Sequence, residues 1–368
     1  MAHHPGTAPW PRRASRTVPT AAGAACEQLH NFSSAQSKIS TEHLAPTLPG
    51  DHGADGLGAI AAVIVTHDRP VLLRHCLVAL TTQRRLPDQI IVVDNASPGP
   101  ETAQVLRDFP QVQHLRLEHN LGGAGGFQAG IIRALEGGAG AVWLMDDDGC
   151  PRDESCLEQL LASALEGGEL VAPLVLDIED LSRLAFPIRL QGHTHHLRTD
   201  VTAQRRIMDF AHLFNGALIR RGTFLRIGLP DPRYVIRGDE VEFLYRALRA
   251  GIRVHTETGC HFLHPSSRSE ISPIMFGLFY AVEPNTTMKR YFQFRNRGQI
   301  FQAYGMWRYL LADIVRYSWF YIVNRRMDLP GLAHWFAATA EGWRGDFLEQ
   351  PWNDAESVAL PTTLRKGD

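Results

Sequence analysis

The sequence contains few cysteines, and their spacing fits neither of the two usual cysteine frameworks. Five cysteines are an odd number, and no two of them form a C-x-x-C pair. The pattern therefore indicates neither a disulfide framework nor a zinc cluster, and it fits a reducing, cytosolic compartment. The five are Cys26, Cys76, Cys150, Cys156 and Cys260.

The sequence also lacks an excess of charge and a long apolar run. Its formal net charge of −2 and pI near 6.8 give no reason to expect nucleic acid as a partner. No stretch of about 18 apolar residues is free of charge, and the N-terminus has no apolar segment typical of a signal peptide. We therefore expect a cytoplasmic protein with neither a signal peptide nor a membrane span.

Residues 1–56 show no helical or strand periodicity. They are rich in Ala, Pro, Ser, Thr, His and Gly, a composition typical of disordered segments. The whole sequence has 368 residues and is 44% hydrophobic, which is enough to bury a sizeable core. We expect a disordered arm over residues 1–56 and a globular protein after it.

After residue 57, short apolar segments alternate with helical segments. This alternation predicts an α/β fold, with right-handed βαβ units and a mainly parallel sheet that carries helices on both faces. Ligands bind such sheets at the carboxyl ends of the strands. Polar residues follow the predicted strands, so we expect a site along that edge. The predicted strands are Ile60–Val65, Ile90–Val93, Val112–Leu117 and Ala141–Met145.

Three aspartates, Asp146, Asp147 and Asp148, directly follow the fourth predicted strand. Adjacent carboxylates repel one another, and a hard divalent cation with oxygen ligands relieves that repulsion. The corresponding hypothesis is Mg²⁺ or Mn²⁺ bridging a diphosphate. The alternative is a solvated turn that caps a helix near Asp153 and Glu154. The position at a strand end, beside other polar strand ends, favours the metal site.

A glycine-rich segment, residues 122–126, opens a predicted helix after the third strand. Glycines allow a backbone to approach a phosphate or ribose closely, and a helix N-terminus favours anions. The same spacing also fits a tight packing turn. The segment does not match the dinucleotide-binding fingerprint, because it follows the third strand, and a Walker A lysine is absent.

Five segments are specific in their order and spacing: Val63–Pro70, Val92–Ser97, Asn120–Phe127, Trp143–Asp148 and Arg237–Phe243. Together they resemble the family 2 glycosyltransferases with the GT-A fold, and within them the galactofuranosyltransferase-like and rhamnosyltransferase-like members. The resemblance spans residues 60–264. It implies a GT-A catalytic domain over residues 57–280, a Rossmann-like α/β unit, followed by a helical region over residues 281–368.

The resemblance also implies a nucleotide-sugar site. Asp94 looks like the residue that recognises the uracil base, and Thr66 and Arg69 look like residues that line the nucleotide pocket. The implied donor-binding set is Thr66, Arg69, Asp94, Asn120, Gly122, Gly123, Asp146 and Asp147.

A metal site is implied beside the donor. Asp146 and Asp148 resemble the metal-binding carboxylates of the family, and His264 resembles a distal histidine that completes a site for Mn²⁺ or Mg²⁺. His264 belongs to a polar segment that follows a short predicted strand, Ile252–Thr256. His261 is the competing candidate, and a structural histidine in a loop is the alternative.

The family pattern places the general base at Glu240, with Asp239 as the second candidate. Both acids open a predicted helix whose apolar face includes Val241, Leu244 and Leu248. The alternative is that they only cap this helix.

Two further residues, Asn215 and Asp231, correspond to the family's acceptor region. A role in turns and caps is the alternative for both.

The implied activity is inverting transfer of a hexose to a hydroxyl group of a glycan or a polyprenyl-linked glycan. Galactofuranose from UDP-galactofuranose is the first donor hypothesis, and rhamnose from dTDP-rhamnose is the second. A nucleotidyltransferase is a further alternative, but it more usually carries a glycine-rich basic loop after its first strand. A non-catalytic sugar-binding protein is disfavoured because Asp146, Asp148 and Glu240 are all present.

The segment from Thr286 to Arg326 is basic and aromatic, with Asp313 as its one acid. Such a helical stretch suits the interface of an anionic membrane, and we expect peripheral contact at the inner face of the cell membrane. The alternative is a helical layer that packs its aromatic side chains on the catalytic domain. The eight cations are Lys289, Arg290, Arg295, Arg297, Arg308, Arg316, Arg325 and Arg326.

Overall fold

The computed structural model describes residues 57–190, 193–266 and 268–347 of the chain. The predicted arm over residues 1–56 lies outside the described residues, as do residues 348–368 of the predicted helical region. Within the described ranges, no helix is long and apolar enough to cross a membrane.

A mixed, mainly parallel sheet forms the centre of the protein. Its strands are β1 (Ala59–Thr66), β2 (Gln89–Asp94), β3 (Val112–Arg116), β4 (Ala139–Asp146), β5 (Cys150–Pro151), β6 (Leu170–Asp177), β7 (Arg183–Leu190), β8 (His193–Leu197), β9 (Arg206–Met208), β10 (Asn215–Arg220) and β11 (Val254–His264). The main strand order is β3-β2-β1-β4-β10-β6-β11-β5. Strands β3, β2, β1 and β4 are parallel, and β10 runs antiparallel between β4 and β6. The four strands predicted from the sequence are confirmed.

Helices cover both faces of the sheet. They are α1 (Pro70–Thr81), α2 (Glu101–Arg107), α3 (Gly122–Glu136), α4 (Cys156–Leu165), α5 (Arg221–Ile227) and α6 (Asp239–Arg249). Side chains alternate along β1, so Ile60 and Ile64 join a core with α1 and α4. Val63 and Val65 point the other way and join a core with α3, α5 and α6. The predicted α/β arrangement is therefore present.

A hairpin and three helices follow the sheet. The hairpin consists of β12 (Ile271–Ile274) and β13 (Phe279–Val282), and the helices are α7 (Thr287–Ala303), α8 (Trp307–Trp319) and α9 (Leu329–Arg344). A π-helical turn, Phe320–Asn324, extends α8. The boundary predicted at residues 280 and 281 falls inside β13, so the hairpin crosses it.

Two local predictions were wrong. The strand predicted over residues 252–256 extends to His264, because β6 pairs with β11 beyond an irregularity between Glu257 and His261. The histidine segment is therefore part of a strand and not a loop. In α6, Leu244 and Leu248 pack against the core as predicted, but Val241 is 42% exposed, and Phe243 and Ala247 are the buried residues.

Candidate active site

The acidic segment at the end of β4 contacts the end of β1. Asp147 is buried, and its carboxylate accepts hydrogen bonds from Thr66 Oγ1 at 2.6 Å and from Arg69 at 3.0 Å. Arg69 also donates to Asp148 Oδ2 at 2.8 Å. The structure thus brings together four of the predicted site residues. Arg69 is close because Pro70 begins α1 immediately after β1 ends.

Negative charge is concentrated in this segment. Burial raises the pKa of Asp146 well above its usual range, and the neighbouring charges of Asp148 and Asp147 raise it further. Burial also raises the pKa of Asp147 to about 6, although Arg69 and Thr66 oppose the shift. The pKa of Asp148 is lowered: burial acts against this, but hydrogen bonding and charge from His264, together with Arg69, prevail. A cationic ligand would be favoured here.

His264 completes this edge of the site. Its Nε2 lies 3.1 Å from Asp148 Oδ1, and its ring lies 4.9 Å from the ring of Phe186, between centroids. His261 is placed elsewhere: burial, then the charges of Arg198 and Arg152, lower its pKa to about 4. Of the two predicted histidines, only His264 contacts the acidic segment.

The two acids at the start of α6 face the same site. Gly238, with φ +88°, turns the chain into the helix. Burial raises the pKa of Glu240, against hydrogen bonds from the backbone of Leu213 and Phe214 and the charge of His264. Burial, and then the charge of Glu240, raises the pKa of Asp239 to about 7. Asp239 in turn contributes to the raised pKa of Asp146.

The two acids differ in access. Asp239 is 6% exposed, and its Oδ2 lies 3.8 Å from the position that a Cβ on Gly123 would occupy. Glu240 is only half-buried, and its Oε2 accepts from the backbone N–H of Leu213 at 3.2 Å. Of the two residues, Glu240 is therefore the more exposed.

The glycine segment serves mainly to pack α3 on the sheet. A Cβ on Gly126 would lie 2.6 Å from Val65 Cγ1, and one on Gly122 would lie 2.3 Å from the carbonyl oxygen of Val235. Asn120 Oδ1 accepts from the backbone N–H of Gly122 at 2.9 Å. Asn95 also holds the loop, through its amide donating to the Gly122 carbonyl at 2.9 Å. Packing is therefore shown at Gly122 and Gly126, whereas approach of a phosphate or ribose to this segment stays a prediction.

Asp94 lies at the end of β2 and is fully buried. Its Oδ1 accepts from the backbone N–H of Ser97 at 2.8 Å, and its Oδ2 accepts from Arg116 at 2.6 Å. Burial opposes ionisation, yet the Ser97 hydrogen bonds and the Arg116 charge lower the pKa of Asp94. Base recognition by Asp94 stays a prediction, and Arg116 is a neighbour that sequence reasoning missed.

The two acceptor candidates lie in different settings. Asn215, the first residue of β10, pairs with Met145 next to the acidic segment. Its buried Oδ1 has no hydrogen-bond partner among the described residues. Asp231 caps the 3₁₀ helix Pro232–Tyr234 and pairs with Arg233 at 2.7 Å. Asp231 therefore has a capping role, whereas acceptor binding by Asn215 stays a prediction.

The donor atoms for a cation form a pair rather than a larger cluster. Within the part of the chain that the structure describes, no group of three or more His, Cys, Asp or Glu side chains has a geometry that could hold a metal ion. Asp148 and His264 do contact each other, and Asp146 is a buried carboxyl whose pKa is raised by burial and by the charge of Asp148. Such a pair fits Mg²⁺ or Mn²⁺ when phosphate oxygens and water supply the other ligands.

The chain shares sequence similarity with known proteins. The family model "Glycosyl transferase family 2" matches residues 61–221. The chain is 41% identical over 296 residues to galactofuranosyltransferase GlfT1 of Mycobacterium tuberculosis, covering 78% of this chain and 97% of the relative. Its identity to galactofuranosyltransferase GlfT1 of Mycolicibacterium smegmatis is 39%, with the same coverage. The crystal structure of S. aureus TarS 1-349 aligns with a TM-score of 0.49 and 12% identity, over 77% of this chain and 80% of that one.

Proposed function

Because this chain belongs to glycosyltransferase family 2 and is related over most of its length to galactofuranosyltransferases, we propose that it transfers galactofuranose from UDP-galactofuranose to a glycan hydroxyl. The α/β GT-A fold predicted from the sequence accords with this membership. The relatives do not favour a rhamnosyltransferase, a nucleotidyltransferase or a non-catalytic protein.

The observation that carries the proposal is the arrangement of two pairs of side chains at one edge of the sheet. Asp148 and His264 are in contact, and Asp239 and Glu240 interact electrostatically with Asp146 and His264, respectively. One pair is suited to the diphosphate side of a donor, and the other is suited to accepting a proton. Transfer from a nucleotide sugar needs both functions.

The two pairs divide the chemistry between them. Glu240 would accept the proton of the acceptor hydroxyl while the hydroxyl oxygen attacks the anomeric carbon of the donor sugar. Because this attack comes from the side opposite the departing diphosphate, it inverts the configuration at that carbon. The raised pKa of Glu240 brings its basicity closer to what a general base needs near neutral pH. Asn215, with its unpartnered oxygen, would orient the acceptor.

The donor would lie along the ends of β1, β2 and β4. We assign its nucleotide part to Thr66, Arg69 and Asp94 and its phosphates to the region of Asp146, Asp147 and the loop at Asn120, Gly122 and Gly123. Arg69 supports this placement because it is half-exposed and pairs with two aspartates, Asp147 and Asp148.

We further propose a divalent cation, Mn²⁺ or Mg²⁺, held by Asp148 and His264 with Asp146 beside them. When bound, it would stabilise negative charge on the departing diphosphate. The acceptor is proposed to be a polyprenyl-linked glycan at the inner face of the cell membrane, which peripheral contact by a cytoplasmic protein would reach.

A nucleotide-release assay tests the donor and the metal. The protein with Mn²⁺ is incubated with a panel of nucleotide sugars and a soluble acceptor glycoside, and the free nucleotide diphosphate is measured. We expect release from UDP-galactofuranose and loss of that release with EDTA. Asp148→Ala should weaken metal-dependent UDP binding, whereas Asp108→Ala, at an exposed carboxylate paired with Arg74, should not. Turnover of dTDP-rhamnose instead of UDP-galactofuranose would contradict the proposed donor. Full activity in EDTA would contradict the proposed requirement for a divalent cation.

A further inference from the structure

The hairpin β12–β13 exposes apolar side chains to solvent. Residues 271–282 contain no charged residue, and at the tip Phe276 is 97% exposed and Leu278 75% exposed. Phe279, which follows, is 50% exposed. Removing such side chains from water is favourable, and contiguous exposed apolar side chains commonly mark a binding surface.

The conformation of the tip holds these side chains outward. Met275, Phe276 and Gly277 have φ values of +49°, +59° and +86°. Bulky residues rarely adopt positive φ, and such strain is typical of functional sites. The ring of Phe276 lies 6.2 Å from the ring of Trp319 on α8, between centroids, so the tip adjoins that helix.

Helix α8 and its π-helical extension continue the apolar surface. Leu311, Val315 and Ile322 are 53%, 58% and 39% exposed and lie on one stripe at helical spacing. Between α8 and α9, a groove of about 350 Å³ is lined mostly by apolar side chains, among them Ile314 and Phe336.

The charges on this surface are of one sign. In residues 307–327 the one acid is Asp313, which is 2% exposed and paired with Arg297 and Arg316. Arg308 and Arg326 are exposed. The surface therefore combines apolar side chains and cations with no exposed carboxylate in that range.

We propose that the hairpin 271–282 and the exposed face of α8 dock on an anionic lipid bilayer. This docking surface rests on the proposed function, since it supplies the contact that a lipid-linked acceptor requires. Apolar and aromatic side chains enter the interfacial layer of a bilayer, and each nearby cation attracts anionic headgroups. A second copy of the chain fits less well, because a two-fold contact through this surface would bring cations against cations.

The docking surface is connected to the active site. Ile271 follows His264 by only seven residues. Glu270, just before the hairpin, accepts a hydrogen bond from Arg237 at 2.6 Å, and Arg237 lies two residues before Asp239. A bilayer at the hairpin would therefore present its lipid-linked glycans on the side of the chain that carries Glu240.

Vesicle sedimentation tests the docking surface. The full chain is spun with vesicles of phosphatidylcholine, alone or mixed with an equal amount of phosphatidylglycerol, at low and high salt. We expect binding to the mixed vesicles at low salt. The double variant Phe276→Ser, Leu278→Ser should bind at least about tenfold more weakly, given the burial lost. The variant Arg308→Gln, Arg326→Gln should lose about fivefold per charge at low salt.

A matched control removes exposed apolar side chains elsewhere. Met208→Ser with Leu225→Ser, at positions 60% and 57% exposed, should leave vesicle binding unchanged, and melting temperatures should show that all variants fold. Absence of binding by the wild type at low salt would overturn the proposal. The proposal would also be overturned if the double variant Phe276→Ser, Leu278→Ser, the tip variant, bound vesicles as strongly as the wild type. It would be overturned as well if the wild type formed a dimer, the tip variant were monomeric, and neither bound vesicles.

A parallel assay separates this inference from the proposed function. Nucleotide release from UDP-galactofuranose with a soluble acceptor is measured for the same proteins. The tip variant should keep full activity there while losing activity on a lipid-linked acceptor in vesicles. Transfer without vesicle binding would overturn the docking surface alone, and vesicle binding without turnover of any nucleotide sugar would support the docking surface while the proposed function fails.

Discussion

At the scale of single residues, Glu240 and Asp239 are neighbours with different surroundings. Glu240 is half-buried, and among the described residues its carboxylate accepts hydrogen bonds from the backbone of Leu213 and Phe214. We predict that Glu240→Gln lowers kcat about 10²- to 10⁴-fold with nearly unchanged UDP affinity. Steady-state kinetics and UDP titration measure both quantities.

Glu242 provides a matched control for that prediction. It lies on the same helix but is paired with Arg246 and Tyr304, so Glu242→Gln should retain kcat. If Glu240→Gln retains turnover and Asp239→Asn loses it, the base is Asp239. If neither loses rate, the two acids only cap α6.

The pKa of Asp239 predicts a dependence of stability on pH. Its folded-state pKa, about 7, lies above the usual 3.8, so the folded state binds the proton more tightly than the unfolded state. Ionisation therefore destabilises the fold progressively as pH rises from about 4 to about 7. Asp239→Asn should raise the free energy of unfolding in EDTA, by about 2 kcal/mol more at pH 8 than at pH 5.5. Urea titrations at both pH values measure the change in unfolding free energy. If the substitution had the same effect at pH 5.5 and at pH 8, the pKa of Asp239 would not be shifted.

Residues with a local signal could be predicted, and residues placed by long-range contacts could not. The position of Asp146, Asp147 and Asp148 directly after an apolar run is enough to indicate a charged site at a strand end. Arg116 and Phe186 had no such signal, because β3 brings Arg116 to Asp94 and β7 brings Phe186 to His264. Sequence spacing does not show which strands become neighbours.

At the scale of elements, α3 packs closely on β1 because a glycine, which has no side chain, lies at the contact. A Cβ on Gly130 would lie 2.4 Å from Val63 Cγ1 and 2.9 Å from Val93 Cγ2. We predict that Gly130→Ala lowers the free energy of unfolding by about 1–2 kcal/mol, since overpacking outweighs the gain in helix propensity. Gly222→Ala in α5 meets no atom within 4 Å and should instead stabilise by about 0.5 kcal/mol. Urea unfolding measures the change in unfolding free energy for both variants. If the two changes were equal, α3 would be able to move away from the sheet to make room for the added methyl group.

Periodicity predicted the elements of the parallel half of the sheet because each has a continuous apolar run. At β11 it predicted a strand only as far as Thr256, because the residues from His255 to Glu257 are polar although they are buried. Their hydrogen-bond partners come from β6, β9 and α4, which a local pattern does not contain. The hairpin at Phe276 was missed for a related reason, because its apolar residues resemble an ordinary buried strand.

At the scale of the whole molecule, the C-terminal helices support the loop before Asp239 and Glu240. The side-chain amide of Asn296 on α7 donates to the carbonyl oxygens of Tyr234, Ile236 and Arg237. One apolar cluster contains Val235 from that loop, Ile274 from the hairpin and Trp335 from α9. A division of the chain near residue 280 would open this cluster.

We therefore predict that the sheet and the helices α7–α9 unfold as one cooperative unit. Hydrogen exchange followed by mass spectrometry in rising urea should give the same unfolding free energy for β1 and for α7. Asn296→Ala leaves buried carbonyls unpaired and should lower both values together by about 1–3 kcal/mol, whereas Asn285→Ala, at an exposed position, should change neither. If α7 opens at lower urea than β1, the helical region predicted from residue 281 instead unfolds separately from the sheet. In that case the acids of α6 would lose their support before the sheet unfolds, and activity would disappear at the first transition.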